Sequence, residues 1–106
     1  MKTLSDFKKR LKVGVKLGAI NHTNFGGRDE NGNIIYNDFD FGVRELSIVQ
    51  SNSFAFKTIR TDAKIVDSWC SYPKASNVKI NNENSITIFE ENREKVLIPI
   101  LTYTFI

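Results

Sequence analysis

Short apolar runs separated by small and polar residues dominate the chain from Val43 onward. Leu46-Ser47-Ile48-Val49, Phe54-Ala55-Phe56, Lys64-Ile65-Val66, Val78-Lys79-Ile80, Ile86-Thr87-Ile88-Phe89 and Val96 to Ile106 follow one another at close intervals. They are rich in β-branched and aromatic residues, and turn-forming residues lie between them. That pattern predicts a mostly β chain, a small antiparallel β-barrel or sandwich. Alternation in Phe54-Ala55-Phe56 places both rings on one face, as a core requires. Residues 44–50 are expected to pair with 54–59 across Ser51-Asn52-Ser53, and 78–80 with 86–88 across Asn81 to Ser85. Pro73 cannot donate to a ladder and ends or kinks the 64–72 strand. Pro99 suggests that the last strand lies at an edge. An exposed apolar strand of that length would template aggregation. Val96 to Ile106 is therefore expected either to close the barrel or to pair with a second copy, with a homodimer through this C-terminal strand as the leaning.

The first half has a different rhythm. Leu4, Phe7 and Leu11 share one helical face, and Thr3 with Asp6 forms a capping box. These predict a short N-terminal α-helix over 4–11, too short to be stable unless it docks on the sheet. Val13, Val15, Leu17 and Ala19 alternate with Gly14, Lys16 and Gly18, the period of a strand. Residues 21–42 are then expected to form a long loop between the first two strands. Asn31-Gly32 is a hairpin signal inside it, with Ile34-Ile35-Tyr36 as one arm.

The 106 residues suit one domain, 1–106, with one modest core. A net charge of +3 conceals an uneven spread. Residues 1–22 carry six basic side chains against Asp6, net +5, whereas residues 23–42 carry Arg28 against Asp29, Glu30, Asp38 and Asp40, net −3. The basic end reads as a solvated helix face. A single cysteine, Cys70, excludes an intrachain disulfide and fits a reducing cytoplasm. No apolar run approaches the ~20 residues of a membrane span, and the N-terminus lacks the apolar segment of a signal peptide.

Few chemistries survive a search for reactive constellations. His22 is the only histidine. A Cys70–His22 catalytic pair is conceivable, although a structural thiol beside Trp69 explains Cys70 as well. Asp29, Asn31 and Asn33 imitate the start of a calcium loop. The sixth position is Ile34 where glycine is needed, and hairpin-turn chemistry accounts for the same residues. No phosphate-binding glycine loop or Cys-x-x-Cys is present. No enzyme activity, cofactor or metal is expected. The segment mixing rings and acids is the candidate protein-binding surface: Phe25, Arg28, Tyr36, Asp38, Phe39, Asp40 and Phe41. Aromatics would anchor there, while carboxylates steer and set register. The alternative is a nucleic-acid-binding barrel face built on Lys57, Arg60, Lys64 and Lys74, with aromatics available for stacking. On that reading the choice turns on whether Phe54, Phe56 and Trp69 fill the core.

A long connection followed by closely spaced strands over residues 13–80 resembles the layout of Src-homology-3-like small β-barrels. That likeness is one of architecture and implies no ligand. Ser47-Ile48-Val49-Gln50-Ser51-Asn52 and Trp69-Cys70-Ser71-Tyr72-Pro73-Lys74-Ala75-Ser76 resemble uncharacterised proteins of phages and prophages of low-GC bacteria. This resemblance implies a viral accessory protein in the host cytoplasm, contacting a host or viral protein, a class that includes inhibitors of host defence. It brings no functional residues with it.

Overall fold

The computed structural model describes residues 1–59, 62 and 64–106, with Ile59 by its backbone alone. Helix α1 (Leu4–Arg10) starts at the expected capping box. The Thr3 hydroxyl accepts from the Asp6 amide at 3.2 Å, and the Asp6 carboxylate accepts from the Thr3 amide at 3.1 Å and the Lys2 amide at 2.8 Å. These donors, the Lys2 amide foremost, hold the Asp6 carboxyl below its ordinary range. Seven strands follow: β1 (Lys16–Arg28), β2 (Ile34–Val49), β3 (Ser53–Ile59), β4 (Ile65–Ser71), β5 (Val78–Asn82), β6 (Ser85–Glu91) and β7 (Leu97–Phe105). A 3-10 turn, Ala75–Asn77, precedes β5.

The strands form one antiparallel sheet in the order β4-β3-β2-β1-β7-β6-β5. The sheet curls, so inward residues of distant strands meet. Phe54 and Phe56 of β3 each lie 5.9 Å, ring to ring, from Tyr103 of β7, and Ile86 and Ile88 of β6 join the same cluster. Phe7 closes one end of this cluster. It is fully buried, with ring centroids 6.2 Å from Tyr103 and 5.6 Å from Phe105. Two helix cations strap it down: Lys8 lies over the Tyr72 ring and Arg10 over the Phe105 ring. Arg10 also donates to the Glu83 carbonyl and the Asn84 side chain in the β5–β6 turn. Part of the basic N-terminus is thereby a clamp that fastens the helix.

The small mostly-β body is a half-barrel: β4 and β5 are its edges, and no ladder joins them among the described residues. The C-terminal strand does not take the edge position expected of it. From Leu101 to Phe105, β7 pairs with β1 on one side and β6 on the other. The ladder groups of this stretch are taken, so a second copy cannot pair along it; the 97–100 end has β6 on one side alone. Pro99 is tolerated because that end of β7 pairs with β6 alone.

The connection expected as a long loop between the first two strands is itself ladder. β1 and β2 run together from Lys16↔Glu45 to Arg28↔Ile34, and only residues 29–33 turn. The alternation that would have revealed these strands is missing for two reasons. Every residue from Ile34 to Val43 is exposed, on both faces of the ribbon. Three irregularities also break the register, between Ala19 and Ile20, Asn21 and Asn24, and Phe25 and Arg28. At the first, Gly42 adopts φ +72° and its amide donates to the Asp40 carboxylate at 2.7 Å.

Candidate functional site

Beyond Asn21, β1 has lost β7, and before Leu46, β2 has not yet met β3. The outer parts of these strands therefore form a two-stranded arm that leaves the sheet. Isolated hairpins are marginal in water, and this one carries apolar side chains where solvent reaches them. Phe25, Ile34, Ile35, Tyr36, Phe39, Phe41 and Val43 make up seven of the thirteen exposed large hydrophobic residues described. The arm shows in the overall dimensions. The radius of gyration is 15.1 Å, against about 13 Å for a compact domain of this length. The accessible surface is 7304 Å², against about 6,000 Å² for a compact monomer of this mass.

The candidate protein-binding residues fall into three sets. Phe39 and Phe41 meet edge to face, with centroids 5.1 Å apart. Phe25 and Tyr36 lie directly opposite each other in the ladder. The polar members are engaged within the arm: Arg28 donates to the Gly32 carbonyl at 2.8 Å, Asp38 accepts from His22, and Asp40 holds the Gly42 bulge. Arg28 and the two acids thus shape the arm from within, leaving the rings as its outward chemistry.

His22 and Cys70 do not form the pair considered from the sequence. Cys70 lies on the concave side, where its sulfur accepts from the Tyr103 hydroxyl at 3.8 Å. His22 bonds to Thr102, which neighbours Tyr103 along β7 and so points to the opposite face. There His22 Nδ1 donates to Asp38 Oδ1 at 2.8 Å, and Nε2 accepts from Thr102 Oγ1 at 2.7 Å. The bulge between Asn21 and Asn24 brings His22 to Asp38, a juxtaposition that spacing does not reveal. The trio resembles a hydroxyl–imidazole–carboxylate relay, but the hydroxyl is not free. Thr87 Oγ1 donates to Thr102 at 2.9 Å and Asn81 Nδ2 donates to Thr87 at 2.8 Å. The chain is a polar ladder that ties five strands together across the convex face.

The calcium-like segment is the arm's turn. Asp29 Oδ1 accepts from the Asn31 and Asn33 amides, each at 2.9 Å, and Gly32 sits at φ +79°. No group of three or more metal-ligating side chains occurs among the described residues. No helix of the described residues is long and apolar enough to cross a membrane.

The basic candidates lie apart. Lys57 is bonded to Glu45 and stands opposite Asp67 in the ladder. Lys64 and Lys74 flank opposite ends of the seven-residue β4, a strand roughly 20 Å long at ~3.3 Å per residue. Arg60 lies outside the described residues. Phe54 and Phe56 are core, as their alternation implies, whereas Trp69 is 53% exposed on the outer side of β4.

The unclosed seam leaves a hollow on the concave side. One part, about 320 Å³, is lined by Phe41, Arg44, Phe56, Leu101 and Tyr103 among others. A second part, about 350 Å³, runs toward Tyr72 and Pro73 and shares Cys70, Glu90, Ile100, Leu101 and Tyr103 with the first. Burial raises the Tyr103 hydroxyl well above its ordinary range and keeps it neutral. Sequence reasoning did not find this hollow. Inward positions of strands read as filled core, and only the unclosed curl leaves space beside them.

Comparison with known proteins finds no matching family model, no matching curated protein and no matching solved structure.

Proposed function

We propose that the chain is a non-enzymatic binding protein whose β1–β2 arm docks on another protein. The observation that carries this reading is an apolar ribbon exposed on both faces, with no third strand paired to it among the described residues. The whole chain's surplus surface, on the order of 1,000 Å², is comparable with one side of a standard protein–protein interface, about 800 Å². Phe25, Tyr36, Phe39 and Phe41 are the anchors, the residue types that dominate interface energetics. The arm's net charge of −3 disfavours phosphate backbones and anionic lipid surfaces and favours a partner with a basic rim. The phage-like phrases of the sequence suggest the setting: a viral accessory factor in the bacterial cytoplasm, contacting a host or viral protein.

The test is capture of a partner from nuclease-treated host lysate, then binding of the purified partner. Phe39→Ala with Phe41→Ala should abolish that binding while circular dichroism stays unchanged. The contrary result is tight, salt-sensitive binding of a fluorescent oligonucleotide that is lost on alanine substitution of Lys57, Arg60 and Lys64. That outcome would transfer the function to the strand face beside β4.

A further inference from the structure

The concave hollow contains a cation that no carboxylate contacts as an ion pair among the described residues. Arg44, half-buried, lines the 320 Å³ part of it. Its guanidinium lies over the Phe56 ring, 4.9 Å from the centroid, and donates to the Thr58 hydroxyl. Both contacts fix its direction, and neither neutralises it. Among the described residues Lys57 pairs with Glu45, and Arg44 is in no such pair. The three undescribed residues, Arg60, Thr61 and Ala63, carry no carboxylate. Beside the guanidinium the walls are apolar: Phe41, Phe56, Ile100, Leu101 and the Tyr103 ring. The volume lies within the span of small-ligand sites, roughly 300 to 1,000 Å³.

An apolar hollow ending in an oriented guanidinium is complementary to an apolar body ending in a carboxylate, which the planar fork can bind through two parallel hydrogen bonds. Glu90 lines the same hollow and is exposed. Its charge opposes a second anionic group, which restricts the ligand to a monoanion. We infer that this groove is a binding site for a small amphipathic monocarboxylate, its body against Phe56, Leu101 and Tyr103 and its head on Arg44. The site meets the arm's partner surface at Phe41 alone; Arg44, Phe56, Leu101 and Tyr103, which carry the assignment, are not among the arm's anchors, so the two readings are tested separately.

Octanoate and octanamide, which share a body and differ in charge, are the probes for titration of the full chain by calorimetry and amide chemical shifts. Octanoate should saturate, with shifts centred on Ala19, Arg44, Phe56, Cys70, Leu101 and Tyr103. Octanamide should bind at least about tenfold more weakly, the scale of one charge-assisted hydrogen bond. Arg44→Gln should erase that difference, and Arg44→Lys should restore part of it. Cys70, the only cysteine, gives a second readout, because octanoate should slow its alkylation by N-ethylmaleimide. Should Arg44→Gln fail to fold, Glu90→Gln decides: removal of the opposing charge should strengthen octanoate severalfold. Equal binding of the two probes, shifts centred on the arm, or no strengthening in Glu90→Gln would each overturn the assignment.

Discussion

Replacing Phe39 by alanine, set against the same replacement at Phe54, tests whether the arm's rings stand outside the folded body. Phe54 is 1% exposed and touches Phe56, Tyr72 and Tyr103. Its removal leaves a cavity in the half-barrel and should cost about 3–5 kcal/mol. Phe39 is 49% exposed, so only about half of its burial energy is realised, roughly 1 kcal/mol. The edge-to-face contact with Phe41 adds at most about 1 kcal/mol. Phe39→Ala should therefore cost about 1–2 kcal/mol, less than half the Phe54→Ala value. The assay is equilibrium urea unfolding followed by far-ultraviolet circular dichroism, with unfolding slopes compared so that midpoint differences report stability. A Phe39→Ala cost of 3 kcal/mol or more, matching Phe54→Ala, would refute the reasoning. The ring would then be buried in solution, and a concentration-dependent melting temperature would show whether a second copy buries it.

Three other outcomes follow from the geometry. The β6–β7 turn repeats the arm's turn, with Asn92 in the place of Asp29 and Lys95 in the place of Gly32. Lys95 is held at φ +59°, so Lys95→Gly should stabilise the fold by about 0.5–1 kcal/mol after the entropy of glycine is subtracted; a lower melting temperature would contradict this. Phe7→Ala should cost about 3–5 kcal/mol and release α1, read as lost helical dichroism together with a lower urea midpoint. Burial raises the hydroxyls of Tyr103 and Tyr72, so the unfolded chain gives up those protons first. Stability should hold below about pH 10 and fall above it, and Tyr103→Phe should flatten most of that fall. At neutral pH that variant should cost under about 1 kcal/mol, because the hydroxyl's one bond is a long one to sulfur.

Local chemistry made much of this architecture legible. The capping box at Thr3, the inward pair Phe54 and Phe56, and the turn at Asp29 to Asn33 each rest on neighbours a few residues away. Their stereochemistry is complete within the segment that carries them. So is the exclusion of disulfides, since one cysteine cannot pair with itself. The arm escaped that reading because it violates the assumption behind period two, that one face of a strand is covered. With both faces wet and three register shifts, Phe25 to Val43 carries no alternation to detect. Only the sheet order shows that β7 is internal and that the seam between β4 and β5 stays open. Both depend on pairings between residues far apart in the chain, such as Leu17 with Phe105. The unpaired Arg44 and the union of His22, Asp38 and Thr102 belong to the same category. Composition names such side chains, but the curl of the sheet and a single bulge decide which of them meet.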